Sequence, residues 1–345
     1  MRIAYDSFLK NAAQLAVALI VLTGCTIRST HVSPSVEKRL KARSVSAEKI
    51  GLHILDASGR YNMEVFSGDF APHPVEITML KSYGGLPALS IRLNQGSSFR
   101  MIADTGAQLC VVEPRRALDA KALVYASEEI PIRVTGIGGE EKAWLARFEH
   151  AHIGPLKLSG LVAVLRREKT ELQWAGLPMG EYEVNLIGSP VIGGFRYVTF
   201  DYAGARFVFS PATSYVPGRG AQRIPLTVRD NLFYVPLRIG THTIPALVDT
   251  GAKDQIFLNE KLLRSWGLEA TAKNGTTYRA VGLGGINQGR TFKVPLVFIG
   301  DTPVRDVSVD TSSGAWQARI GTDLLKNWRV TFDFEHRALW LEGKR

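Results

Sequence analysis

The sequence predicts an all-β protein of two similar lobes with short helices. Three observations predict it. Residues 99–112 read FRMIADTGAQLCVV and residues 244–258 read IPALVDTGAKDQIFL, so an apolar strand enters Asp-Thr-Gly-Ala and another apolar strand leaves it, twice. A glycine-rich turn, Gly136-Ile137-Gly138-Gly139, recurs as Gly282-Leu283-Gly284-Gly285. Finally, Val198-Thr199-Phe200-Asp201 recurs as Val330-Thr331-Phe332-Asp333, preceded by Ile187-Gly188 in one half and Ile320-Gly321 in the other. Three motifs in one order, repeated, mark an internal duplication.

A chain of 345 residues suffices for one large or two medium domains. Its apolar fraction of 45% and charged fraction of 21% are ordinary for a globular protein. The net charge of +10 suits an anionic surface. Because the Lys and Arg are dispersed and no basic run is interleaved with aromatics, no nucleic-acid partner is expected. Two cysteines, Cys25 and Cys110, form neither a CxxC pair nor a disulfide framework. Cys110 follows the first Asp-Thr-Gly on an apolar strand and reads as a buried thiol.

In chain order, residues 12–22 form an apolar run behind Arg2 and Lys10, too short to span a bilayer comfortably. The run ends in Leu22-Thr23-Gly24-Cys25, which resembles the lipobox of bacterial lipoproteins. That resemblance implies a signal peptide over 1–24, cleavage before Cys25, and lipid (including palmitate) on Cys25. Several acyl chains on one residue hold a protein firmly at a membrane. The following residue is Thr26 rather than Asp, which in the lipoprotein analogy leans towards the outer membrane, with the protein facing the periplasm. Residues 25–73 are expected as a tether and N-terminal extension, since 26–48 is rich in Ser, Lys and Arg without a sustained period. Within 50–70, the residues Ile50, Leu52, Ile54 and Leu55 could add a strand.

The first lobe is expected over 74–212 and the second over 213–345. Strand-like runs at 75–79, 86–93 and 99–103 are matched by runs at 224–228, 233–239 and 244–248, with breaks at Gly84-Gly85, Asp230-Asn231 and Gly240-Thr241. Each half then gives its Asp-Thr-Gly, a strand and a short helix. One helix opens at Pro114 after Glu113; the other has Asn259 as N-cap, Leu262 and Leu263 inward, and Gly267 closing it. Next come the glycine turns and paired strands ending at Ile153-Gly154 and Ile299-Gly300. The first half then carries about a dozen extra residues around 166–180, including Trp174 and Met179, an inserted loop that either shapes specificity near a cleft or is neutral decoration.

Asp104 and Asp249, 145 positions apart, are the candidate catalytic residues. Two buried carboxylates a few ångströms apart cannot both ionise, so one serves as base and the other as acid. That is the requirement for peptide hydrolysis by an unbound water, with neither metal nor cofactor. Gly106 and Gly251 allow close backbone approach at the turn, and Thr105 and Thr250 place hydroxyls able to bond across a two-fold axis. Ala107 and Ala252 bring no hydroxyl to the charged form, so mildly acidic to near-neutral action is expected. Gly136, Gly138, Gly139, Gly282, Gly284 and Gly285 suit flaps whose backbone bonds an extended peptide. Neither turn leads into a helix or carries a P-loop Lys, so phosphate loops are not expected.

At these residues the chain resembles aspartic proteases of the pepsin and retropepsin clan, with two lobes in one chain, each closer to a retropepsin subunit than to a pepsin lobe. The resemblance implies a bilobal acid-protease fold of two β-barrel lobes, an aspartic endopeptidase acting on peptide or protein substrates, a catalytic pair at Asp104 and Asp249, interlocking hydroxyls on Thr105 and Thr250, and flap tips at Gly138 and Gly284. It departs from pepsins in lacking a flap tyrosine and disulfides, and from retropepsins in the fusion of unequal lobes. The reading is an envelope protease acting as a monomer. The competing reading is an inactive peptide-binding lipoprotein using the same cleft. His150 and His152 share one face of a strand, but no third metal ligand is evident and a structural role is expected. Asp201 and Asp333 are expected as turn residues, and Trp144, Trp316 and Trp340 as core or cleft wall.

Overall fold

The computed structural model describes residues 25–54, 61–63, 66–68, 70, 72–82, 85–127, 132–136, 139–174, 177–182, 184–282, 285–312 and 317–343. The expected signal peptide, Leu55, Gly138, Gly284 and Trp316 lie outside them.

One six-stranded sheet joins the two halves. Its order is Gln222–Pro225, Ala338–Gly343, Trp328–Asp333, Tyr197–Asp201, Arg206–Ser210 and Val75–Thr78, so the duplicated Val-Thr-Phe-Asp strands lie side by side at its centre. They run antiparallel with Val198 opposite Phe332 and Thr199 opposite Thr331. Alternation along them sends Phe200 and Phe332 into the core, where they pack against Phe207 and Phe233. Asp201 and Asp333 accept backbone N–H bonds from Gly204 and His336 at 2.8 and 3.0 Å, which makes them turn residues as expected.

Each half also builds its own closed sheet. In the first, the antiparallel ladder returns on itself where Ala151 and His152 pair with Leu93 and Arg92. In the second, Leu237, Arg238 and Ile239 pair with Ile299, Phe298 and Val297. Closure removes the edges that open sheets expose. The expected turns fall in place: Asp230 and Asn231 both have positive φ, 50° and 60°, as a two-residue hairpin of the primed type needs. Gly154 and Gly300 turn the equivalent hairpins at φ 56° and 57°. Helices Pro114–Asp119 and Glu260–Ser265 open as expected, the second capped by Asn259, whose side chain accepts from Leu262 N–H at 2.8 Å.

Two departures from expectation occur. The tether reading of 26–48 is corrected: Pro34–Lys41 is an α-helix whose Val36 and Leu40 are buried, and with Val32 they join the main apolar core beside Ala117 and Val124. Val36 and Leu40, four residues apart, are a helical stripe of only two residues inside a charged composition, and Val32 docks from the segment just before the helix. Ile50 and Leu52 are buried in a second cluster, and Leu52–Ile54 pairs with Tyr61–Met63. The surplus around 166–180 is the second departure. It is a hairpin, Glu168–Trp174 with Leu177–Tyr182, and it takes Cys25–His31 as a third antiparallel strand.

Candidate active site

The site forms where two strands, Phe99–Asp104 and His242–Asp249, end in matching turns. In each half a third strand slots between the two arms of the turn. Leu186–Gly188 lies parallel to Phe99–Asp104 with Gly188 opposite Asp104, and Arg319–Gly321 lies parallel to His242–Asp249 with Gly321 opposite Asp249. Both glycines are required by proximity rather than by φ. A Cβ on Gly188 would stand 2.6 Å from the Leu109 carbonyl, and one on Gly321 2.3 Å from the Asp254 carbonyl. Ser189 and Thr322, the next residues, bond back to the turns: Ser189 Oγ donates to Ala107 O at 2.9 Å and Thr322 Oγ1 to Thr250 O at 2.8 Å.

Thr105 and Thr250 lock the two turns together. The Thr105 hydroxyl donates to the Val248 carbonyl at 2.6 Å and accepts the Thr250 N–H at 3.0 Å. Its counterpart repeats the pattern, donating to Ala103 O at 2.6 Å and accepting the Thr105 N–H at 3.0 Å. Both threonines are fully buried, so each hydroxyl satisfies one donor and one acceptor that water cannot reach.

This lock brings the carboxyls of Asp104 and Asp249 together. Asp104 accepts the Gly106 N–H at 2.8 Å, and Asp249 accepts the Gly251 N–H at 3.0 Å. Each glycine also supports the opposite carboxyl, since the Cβ site of Gly106 is 2.5 Å from Asp249 Cγ and that of Gly251 is 2.2 Å from Asp104 Cγ. Burial, and then the charge of Asp249, hold the Asp104 carboxyl well above the usual carboxylate range. Burial raises Asp249 too, against the pull of the Arg319 guanidinium. Such a pair shares a proton and titrates as a unit.

Sequence reasoning missed Arg319 and its partner Asp254. Arg319 Nε lies 2.8 Å from Asp254 Oδ2 and 3.9 Å from Asp249 Oδ2, with a second, closer contact from its terminal nitrogen to Asp254. Its guanidinium carbon stands 4.6 Å from the ring centre of Phe257. The signal that could have found the pair is a break in the repeat: the corresponding positions of the first half are Leu186 and Leu109, both in an apolar cluster.

The other expected site residues are placed as follows. Gly136 pairs with Gly139 and Gly282 with Gly285 at the ends of two hairpins, Ile132–Gly136 with Gly139–Ile153 and Thr276–Gly282 with Gly285–Ile299. The backbone of Cys25 begins the strand on the inserted hairpin. Cys110 is buried, accepts the Gly188 N–H at 3.4 Å, and its thiol is pushed up to about 12 by burial. Trp144 is core, and Trp340 donates to Asp333 at 3.1 Å. His150 and His152 lie on the ladder of the first barrel. Two surface cavities, one beside Leu263 and Ala272 and one beside Val32 and Trp144, include neither Asp104 nor Asp249.

The arrangement brings two carboxyls, both raised by burial, together at a pseudo-two-fold axis, a geometry in which one proton can serve the pair. A family described as "Aspartyl protease" matches residues 89–191 and 235–321, spans that contain both Asp-Thr-Gly turns. A crystal structure of a retropepsin-like aspartic protease from Rickettsia conorii is 23% identical, with the match covering 36% of this chain and 100% of that one at a TM-score of 0.30. No curated protein matches the sequence.

Proposed function

The chain belongs to the aspartyl protease family, and from that premise we propose that it is an endopeptidase of the bacterial envelope in which the Asp104–Asp249 dyad activates water against peptide bonds of envelope proteins. One observation carries the chemistry: each carboxyl sits over the glycine of the opposite turn, so neither half makes the site alone. The ionised carboxylate takes a proton from water as its oxygen attacks the carbonyl carbon, while the protonated carboxyl supplies the carbonyl oxygen with a proton. The two glycine hairpins carry backbone to which an extended substrate adds as a strand.

Lipid on Cys25 anchors the protein at the membrane, facing the periplasm, and the sequence Leu22-Thr23-Gly24-Cys25 supports that placement. Incubating wild type and Asp104→Asn with a peptide library tests the reaction. Cleavage by wild type that disappears in the variant, with peptide binding retained, is the expected result. Wild type that binds peptides without cutting them at any pH from 3 to 8 would instead mark a binding protein. For the anchor, Cys25→Ser should move the protein from the membrane to the soluble fraction and abolish labelling by palmitate.

A further inference from the structure

The two halves agree closely at the dyad but differ in one respect beside it. Asp249 faces a cation and Asp104 does not have one at the equivalent place. Arg319 pairs with Phe257 across the sheet as Leu186 pairs with Val111 in the first half, so the two side chains are pseudo-symmetric counterparts. Asp254, which clamps the guanidinium, likewise stands where the first half has Leu109. An ion pair has thus replaced an apolar pair on one side of the two-fold axis.

We infer that Arg319, held by Asp254, places the single negative charge of the dyad on Asp249, making Asp249 the base that deprotonates water and Asp104 the carboxyl that carries the shared proton. The inference rests on the protease reading above and assigns the roles within it. The geometry supplies the direction. The Arg319 Nε is 3.9 Å from Asp249 Oδ2, and its side chain is only 10% exposed, so solvent screens the attraction weakly. The other charged or titratable groups around Asp249 are Asp104 from the opposite turn and Asp254 from its own turn. Behind Arg319 stand Tyr278, on the second hairpin, and Asp310, which accepts from Thr291 Oγ1 at 2.5 Å. Asp254 bonds the same Nε that lies nearest Asp249 and opposes the cation there, but its effect on Asp249 is smaller than that of Arg319, so it cancels the attraction only in part.

The assigned steps balance. Asp249 removes a proton from water as the water oxygen bonds to the carbonyl carbon, and Asp104 gives its proton to the carbonyl oxygen. In the second step Asp249 passes its proton to the nitrogen as the C–N bond breaks, and Asp104 recovers a proton from one hydroxyl of the tetrahedral intermediate. An acid, an amine and the starting protonation of the dyad result.

The test is carbon-13 NMR titration of labelled aspartate in Asp104→Asn, where Asp249 remains, and in Asp249→Asn, where Asp104 remains. Asp249 should ionise at a pH lower than Asp104 by about one unit or more, the scale for a partly offset cation at this distance. Adding Arg319→Gln should erase most of that difference, and Arg319→Lys should preserve it. If Arg319→Gln does not fold, Arg319→Leu with Asp254→Leu restores the pairing of the first half and should also bring the two midpoints together. Equal midpoints in the two single variants, or a difference that survives loss of Arg319, would overturn the inference. In active enzyme the acid limb of kcat/KM should move to higher pH in Arg319→Gln, about tenfold in rate for a one-unit shift. The titration needs no turnover, so a wild type without cleavage bears on the protease reading alone.

Discussion

Gly251 lies directly beneath the carboxyl of Asp104, with a methyl group at its Cβ site falling 2.2 Å from Cγ. No real Cβ is tolerated so near, and the obstacle is a carboxyl held by the backbone N–H of Gly106. Gly251→Ala should therefore leave the barrels folded while displacing Asp104 from its partner. A misplacement of about 1 Å costs on the order of 100-fold in rate. The expected outcome is a kcat/KM lowered by about that factor with a far-UV circular dichroism spectrum like wild type. Gly106→Ala, meeting Asp249 Cγ at 2.5 Å, should behave alike.

The dyad should also cost the fold stability at neutral pH. Burial and the neighbouring carboxylate raise Asp104 in the folded state, whereas the unfolded chain has the ordinary carboxylate value of about 3.9. The folded protein then binds the extra proton between those two values, so stability falls as pH rises through that window. Asn at position 104 carries no such penalty. Melting temperatures of wild type and Asp104→Asn should converge below about pH 4 and separate above it, the variant being the more stable by about 1.4 kcal/mol for each pH unit until wild-type Asp104 has ionised. Curves that stay parallel from pH 3 to 8 would remove the argument.

How much of this was legible in the sequence depends on where the chemistry is written. Asp104, Thr105 and Gly106 are contiguous and occur twice, so the dyad, its lock and its supporting glycines could all be named from two short stretches. The strands that slot between the turn arms were marked by Ile187-Gly188 and Ile320-Gly321 for the same reason. Arg319 and Asp254 are 65 positions apart and appear in one half only, so no repeat announces them. The helix Pro34–Lys41 was hidden by composition: its exposed face is Lys, Arg and Glu, and the three apolar residues that dock it are outnumbered. Pairing of Cys25–His31 with the inserted hairpin joins segments remote in the chain, and neither has a pattern that specifies the other.

At the centre of the shared sheet, the hydroxyls of Thr199 and Thr331 are fully buried and bond each other at 2.8 Å. Thr331→Val alone leaves the Thr199 hydroxyl without that partner, and such an orphaned group costs roughly 1–3 kcal/mol. Replacing both threonines by Val removes donor and acceptor together and should cost less than the two single losses summed, what remains being the contact of Thr331 with Tyr215. A double-mutant cycle by urea unfolding should accordingly give a coupling energy of roughly 1–2 kcal/mol between the sites. Additive losses would mean that the two hydroxyls do not depend on one another.

The N-terminal helix gives the sharpest contrast between composition and packing. Were residues 26–48 a free tether, substitutions there would change stability by less than about 0.5 kcal/mol. Leu40 instead has 0% exposure and sits in the main core with Val36 and Val32. Truncating a buried leucine removes its transfer free energy and leaves a cavity, together about 2–5 kcal/mol. Leu40→Ala should lower the unfolding free energy measured in urea by that amount, while Lys38→Ala, on the exposed face of the same helix, should leave it within about 0.5 kcal/mol of wild type. If both variants matched wild type, the helix would contribute nothing to the first barrel, and its docking would have to be independent of the fold that carries Asp104.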